Sequence, residues 1–221
     1  MINTLLSQVW GTVSRLKTLM VVVGLLYVTS IGAGIVTWRL MPTAWPESLT
    51  KEEQNKNEQI EKVFGRFREP VREGQLGAVL TAIGLLFLVN LFGAFSQFTV
   101  FSVLIVPASF LGLAGWMQGM SLAQIHGSSL ISVFLFLLMG SLEWITYPLA
   151  TVAGLNVGLS VLFPKRQATP SRWIAFKQAW RDAGRLYLLI AMILAVQAIC
   201  EILYVRQVLL HGGSGVPLAP Y

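Results

Sequence analysis

From Gly74 to Leu142 the sequence contains no Asp, Glu, Lys or Arg, and after Glu143 there is none until Lys165. A stretch that long and that free of charge cannot be the half-buried core of a water-soluble domain. Its apolar runs approach the 20 or so residues that span a bilayer as a helix. The chain of 221 residues, 55% hydrophobic and 12% charged, therefore reads as a small polytopic membrane protein. The fold class expected is all-α: a transmembrane helical bundle with about five to six membrane segments.

Residues 1–18 place Leu5, Leu6, Val9, Trp10, Val13 and Leu16 on one helical face, ahead of Arg15 and Lys17. That pattern predicts an interfacial helix. The run 19–38 is long enough to span, with no small-residue cleavage site after it, and reads as a retained first transmembrane helix. Residues 39–75 form the one extended polar region, in which seven basic residues balance seven glutamates. Thr50 and Glu53 fit a capping box, and Ile60, Val63, Phe64 and Phe67 recur at helical spacing. The short amphipathic helix they predict either lies on the protein's own membrane domain, the commoner outcome, or binds a protein partner.

The membrane bundle is expected over 76–206, with spans at about 76–98, 100–122, 129–163 and 186–205, and a flexible tail over 207–221. Between them, residues 164–185 carry Lys165, Arg166, Arg172, Lys177, Arg181 and Arg185 against one Asp182. The excess of basic residues beside a span places this loop and the N-terminus in the cytoplasm, in a cytoplasmic (inner) membrane. Trp173, Phe176 and Trp180 share one face, with Lys177, Arg181 and Arg185 on another. A helix over 165–185 lying along the membrane surface follows, as a topology anchor or as a site for lipid or protein.

With both those segments on one side, an even number of crossings must separate them. The segment 129–163 then contributes one or three. As a straight helix it would be about 50 Å long against a hydrocarbon core of about 30 Å. One crossing with a broken or re-entrant piece around 140–150 fits best, since Gly140, Glu143 and Pro148 gather there. Gly115 with Gly119, and Gly154 with Gly158, stand four apart and let helices approach closely. Packing inside the bundle is their ordinary use, and a homo-oligomer is the other.

Burying a carboxylate such as Glu143 costs on the order of 2.5–3.5 kcal/mol on insertion scales. No Lys or Arg stands in any apolar span to pair with it. Its helpers must be polar: Asn90, Gln97, Gln118, Thr146, Gln197 or a free helix N-terminus. Glu201, five residues before Arg206, is the second buried candidate, although it can reach an interface. Catalysis needs a nucleophile and an oriented partner, and the sequence supplies no such set. The lone Cys200 rules out an intrachain disulfide, and with His126 and His211 it stands at no metal-binding spacing. The net charge of +6 lies largely in one juxtamembrane loop, which points to topology and not to nucleic acid. No cofactor is implied.

Several of these residues fall in a familiar order. Asn90 lies in the second span, Gln118-Gly119 in the third, and Glu143 is followed by Gly154, Leu155 and Gly158. "RDAGRL" at 181–186 and "AICEIL" at 198–203 complete the series. The chain from about 76 to 206 resembles the stage II sporulation protein M family of integral membrane proteins. That family commonly has Asn in place of Gln118, a His four residues before its buried Glu and a Pro two after it. Here Met139 and Ile145 stand at the last two positions and Pro148 is displaced, so no role of that His carries over. The resemblance implies a non-enzymatic membrane scaffold that holds peptidoglycan-remodelling proteins together, with partners through 39–75 and 165–185. Relatives in organisms that do not sporulate leave the process open. The rival reading is the membrane subunit of a transport or export system that uses Glu143 beside a helix break.

Overall fold

The computed structural model describes residues 2–41, 65–94, 99, 107–123, 130–164 and 171–210, and these are helical wherever they form regular structure. Helix α1 runs Ile2–Leu40, α2 Arg68–Arg72 after one 3-10 turn, and α3 Leu76–Val89, extended by a π turn Asn90–Ala94. Helix α4 spans Pro107–Ala123, α5 Leu130–Leu162 and α6 Arg172–Leu210. Most of the polar segment, including the expected capping box and Ile60, Val63 and Phe64, lies outside the described residues, as do residues 165–170 and 211–221.

Three helices are long and apolar enough to cross a membrane, over Ser7–Leu40, Leu137–Leu162 and Arg172–Gln207. The protein is thus a multi-pass, all-helical membrane bundle, with three such helices among the described residues where about five to six segments were expected. Among the described residues, the spans foreseen at 76–98 and 100–122 appear as α3 with its π turn and as α4. Pro107 is the first described residue of α4.

Two boundaries drawn from the sequence disappear. No break separates residues 1–18 from 19–38: α1 is one helix of 39 residues. Nor does a surface helix end at 185, because α6 is also continuous over 39 residues. Each is about 58 Å long, nearly twice a hydrocarbon core. The reason is a continuous buried stripe. On α1 it is Val9, Thr12, Leu16, Val23, Tyr27 and Ile31, and on α6 Ala175, Ala179, Ala183, Leu186, Ile190, Leu194 and Ala198. Steps of three, four and seven keep one face turned inward along the whole length, so neither helix has cause to bend away. The outward faces, with Val21, Val22, Leu25 and Val28 exposed on α1, suit lipid.

The break expected around 140–150 is absent as well. Helix α5 runs through Pro148 without interruption. Tyr147, Leu149, Ala150, Val152 and Ala153 are buried in the main core with Leu186, Ile190 and Leu194 of α6. Neighbouring helices therefore keep the helix continuous across the proline, as membrane interiors allow. Helices α5 and α6 form the most extensive pair, and α1 with α4 the next.

The second pair approaches through small residues. A Cβ on Gly119 would run into the carbonyl oxygen of Ile31, and one on Gly34 into that of Trp116. Gly115 lies against Ser30 and Tyr27, where a Cβ would come within 3.0 Å of both. Ser30 and Gly34, four apart on α1, thus meet Gly115 and Gly119, four apart on α4. At the other edge, α2 ends in a Schellman turn: Gln75 N–H donates to Pro70 O at 2.9 Å and Gly74 N–H to Val71 O at 3.0 Å. Gly74 takes φ +75° there. A small second core of Val71, Ala82, Leu86, Ala198 and Ile202 then seats α2 and α3 on α6, with Phe67 packed against it.

Candidate functional site

Glu143 lies one turn before Tyr147 on the buried face of α5 and is 5% exposed. That spacing lets the Tyr147 hydroxyl donate to its own helix's carboxylate, Oη to Glu143 Oε1, at 3.1 Å. From α4, Gln118 Nε2 donates to Glu143 Oε2 at 3.0 Å. From α1, the Tyr27 hydroxyl donates to Gln118 Oε1. Three helices are tied together by one chain of polar groups, and each carboxylate oxygen has a donor. The Tyr27 and Tyr147 rings meet edge to face, 6.1 Å between centroids, which closes the network on its apolar side.

Of the sequence candidates, Gln118 joins Glu143 directly. Glu201 is buried on α6. Gln197, one turn earlier on α6, is fully buried, and neither its Oε1 nor its Nε2 has a hydrogen-bond partner among the described residues. Asn90 is buried in the π turn after α3, its Nδ2 likewise without a partner among the described residues. Thr146, the other helper described, turns back to the carbonyls of Leu142 and Glu143 on its own helix instead of to the carboxylate. Gly115 and Gly119 lie in the α1–α4 contact, and Gly154 and Gly158 are buried in α5.

A second polar centre was not foreseen. Asp182, 3% exposed, accepts from Arg15 Nη2 at 2.7 Å, from Arg185 Nη1 at 3.3 Å and from Thr12 Oγ1 at 3.2 Å. Arg185 Nη2 also donates to Gln8 Oε1 at 3.4 Å. The expected basic face therefore divides. Arg185 turns into this knot, while Lys177 and Arg181 stay exposed, Lys177 at 5.1 Å over the Trp173 ring. Trp173 stacks on Phe176, which meets Trp180 edge to face. The signal available was the one acid among the bases of that segment, at a position three after Ala179 and four before Leu186, both on the inward stripe.

Arg15 meets Asp182 early in α1 and α6; further along α1, Tyr27 meets Tyr147 of α5. The early parts of α1 and α6 therefore lie side by side. Chemically, the Glu143 network holds a carboxyl group with amide and phenol donors. Among the described residues no group of three or more His, Cys, Asp or Glu is placed to hold a metal ion.

A model of the family described as Stage II sporulation protein M matches residues 18–204 of the chain. The match begins well before residue 76, so it takes in the first membrane helix and the polar segment too. Comparison with curated proteins and with solved structures finds no match.

Proposed function

The chain belongs to the stage II sporulation protein M family, and from that premise we propose that it is a non-enzymatic membrane scaffold or assembly factor for cell-envelope proteins. Its seat is the cytoplasmic membrane, with the N-terminus and residues 164–185 on the cytoplasmic side, in keeping with their basic charge. Partners of the peptidoglycan-remodelling kind would be engaged through 39–75, and cytoplasmic proteins or anionic lipid through 165–185. Five to six membrane segments remain compatible with this reading if the shorter α3 and α4 also enter the bilayer.

The observation that carries the reading is a paired projection. Beyond the apolar runs 19–38 and 186–205, α1 and α6 continue for about 20–25 Å each. They stay together there, locked by Arg15 and Asp182. Trp10, Trp173, Ile174 and Trp180 are exposed along this extension, beside Lys177 and Arg181. Such a stem, with aromatic and basic side chains exposed, is suited to positioning another molecule at the membrane.

The transport reading drew on a helix break beside Glu143, and α5 has none. What still favours it is the buried carboxylate itself. Affinity purification of the intact protein from its host in a gentle detergent, with mass spectrometry of what co-elutes, separates the two. Envelope hydrolases that are lost on deleting 50–68, with membrane insertion unchanged, support the scaffold. Recovery of a cytoplasmic ATPase, with loss of flux in Glu143→Gln, would replace it with the transport reading.

A further inference from the structure

We infer that the outward side of the stem is a binding face for anionic phospholipid, with Lys177 and Arg181 on the headgroup phosphate and Trp10, Trp173 and Trp180 seated among the headgroups. This deepens the reading of 165–185 given above and rests on it for the side of the membrane.

The charges of the stem divide into two sets. Residues 172–185 hold Arg172, Lys177, Arg181 and Arg185 against one acid, Asp182. Asp182 is buried and takes Arg185 from its own helix and Arg15 from α1. Lys177 and Arg181 stay outside that knot and are exposed. They stand four apart, so their side chains are neighbours on one side of α6. Beside them runs an aromatic row. Trp173 stacks on Phe176 at 5.6 Å between centroids, and Phe176 meets Trp180 edge to face at 6.2 Å. The Lys177 ammonium lies 5.1 Å from the centre of the Trp173 ring, which holds the charge against the row. Two neighbouring cations on an aromatic ridge complement a phosphate that sits above acyl chains.

Two observations favour the bilayer over a docked protein as what covers this face. The first is continuity. From Arg181, steps of seven, four and seven lead to Leu188, Met192 and Ile199, all exposed within the apolar run of α6. On α1, Trp10, Lys17, Val21, Leu25 and Val28 follow one another in the same way, and each is exposed. The face is thus the lipid-facing side of both spans carried outward. Arg181 and Trp180, five and six residues before the run 186–205, stand about 7–9 Å beyond it, level with the outer headgroups.

The second is that apolar exposure occurs on all three helices of the stem's core. Helix α5 has Val157 in one core with Leu16, Ala179 and Ala183, and one turn later it ends on exposed Val161, Leu162 and Phe163. Large apolar side chains are therefore bare on α1, α5 and α6 at this end. A surrounding layer of lipid satisfies all of them, whereas one docked protein would cover one side.

The test is native mass spectrometry of the full-length protein, released from detergent micelles that carry phosphatidylglycerol and phosphatidylcholine of the same acyl chains in equal amounts. Wild type should retain phosphatidylglycerol over phosphatidylcholine. Lys177→Gln combined with Arg181→Gln should lower that ratio by about fivefold or more, since two cations near the headgroups are lost. Both side chains are exposed, so this variant should unfold at the wild-type temperature. Lys177→Arg combined with Arg181→Lys keeps both charges and should keep the ratio. The proposal is overturned by a wild type that retains the two lipids equally, by a preference that survives the loss of both cations, or by its loss in the charge-keeping pair. It is also overturned if a cytoplasmic protein that co-purifies with wild type is lost from the double glutamine variant while the lipid ratio stays unchanged, because the face then takes a protein. Recovery of envelope hydrolases through 50–68 reports on the opposite side of the membrane, so the scaffold reading and this one fail separately.

Discussion

Arg15 of α1 donates to Asp182 of α6 at 2.7 Å, across 167 residues of sequence, and the contact lies beyond the apolar runs of both helices. Its consequence is architectural. Residues 2–18 and 172–185 would each be short amphipathic segments free to lie on the membrane surface. Joined at Asp182, and with Leu16, Ala179 and Ala183 in one core with Val157 of α5, each continues the axis of its own span.

Replacing Asp182 by Asn should therefore loosen the stem without unmaking the bundle. Asp182 is buried, but Arg15 is about half exposed and would regain water. That limits the expected loss to about 1–2 kcal/mol. Thermal unfolding in detergent reads the loss of stability. Spin labels on residues 7 and 178, measured by pulsed electron resonance, should show a broader separation in Asp182→Asn than in wild type. An unchanged distribution would mean that the apolar stripe alone holds the stem.

Helices α1 and α4 should tolerate no enlargement at Gly119 or Gly34. A Cβ at either position meets backbone, which cannot turn aside as a side chain can. Gly119→Ala is expected to cost about 1–3 kcal/mol or more through forced separation of the helices. Gly84→Ala on α3, where nothing lies within 4 Å of an added Cβ, is the matched control. It should leave thermal stability unchanged or slightly raise it.

How far these features could be read from sequence depended on how the residue type is usually classed. Glu143 stood out because nothing charged surrounds it, and Gln118 followed as a polar group in an apolar span. Tyr27 and Tyr147 did not, because a tyrosine in a hydrophobic run counts as apolar, and its hydroxyl shows only once a partner is seen. Gly140 and Pro148 suggested a break because each disfavours an isolated helix. The structure overrides that preference with neighbouring helices, whose packing no local pattern reveals. Asp182 looked like a minority charge in a basic segment, since its partner Arg15 is remote in sequence. Residues 42–64, where the sequence predicts a helix, are outside what the structure describes.

At Glu143 the two obvious substitutions should separate. Glu143→Gln keeps one acceptor oxygen for Gln118 or Tyr147 and turns an amide toward the other. Glu143→Leu removes the acceptor that both donors use, a penalty of about 1–3 kcal/mol for each group left unpaired. Leucine should accordingly be the more destabilising by a few kcal/mol, although it is the more apolar residue in a membrane bundle. Thermal unfolding of both variants in the same detergent checks the order. Leucine as stable as wild type would mean that the bundle can close over Gln118 and Tyr147.

Gly74 gives a test at the opposite end of the bundle. Its φ of +75° is the left-handed conformation that the Schellman turn after α2 requires. An added Cβ would also come within 3.0 Å of Arg206 Nη2 at the far end of α6. Gly74→Ala is thus expected to cost about 1–2 kcal/mol for the backbone conformation alone. The guanidinium, at the end of a flexible side chain, can move aside, so crowding should add little. Gly74→Asn should recover part of the loss, because asparagine enters that region more readily. If alanine and asparagine are equally destabilising, Arg206 and not the backbone sets the requirement for glycine. Since α2 and α3 reach α6 through the small core of Val71, Leu86 and Ile202, both variants should show their effect as faster proteolysis near residues 65–75, with α1, α5 and α6 left intact.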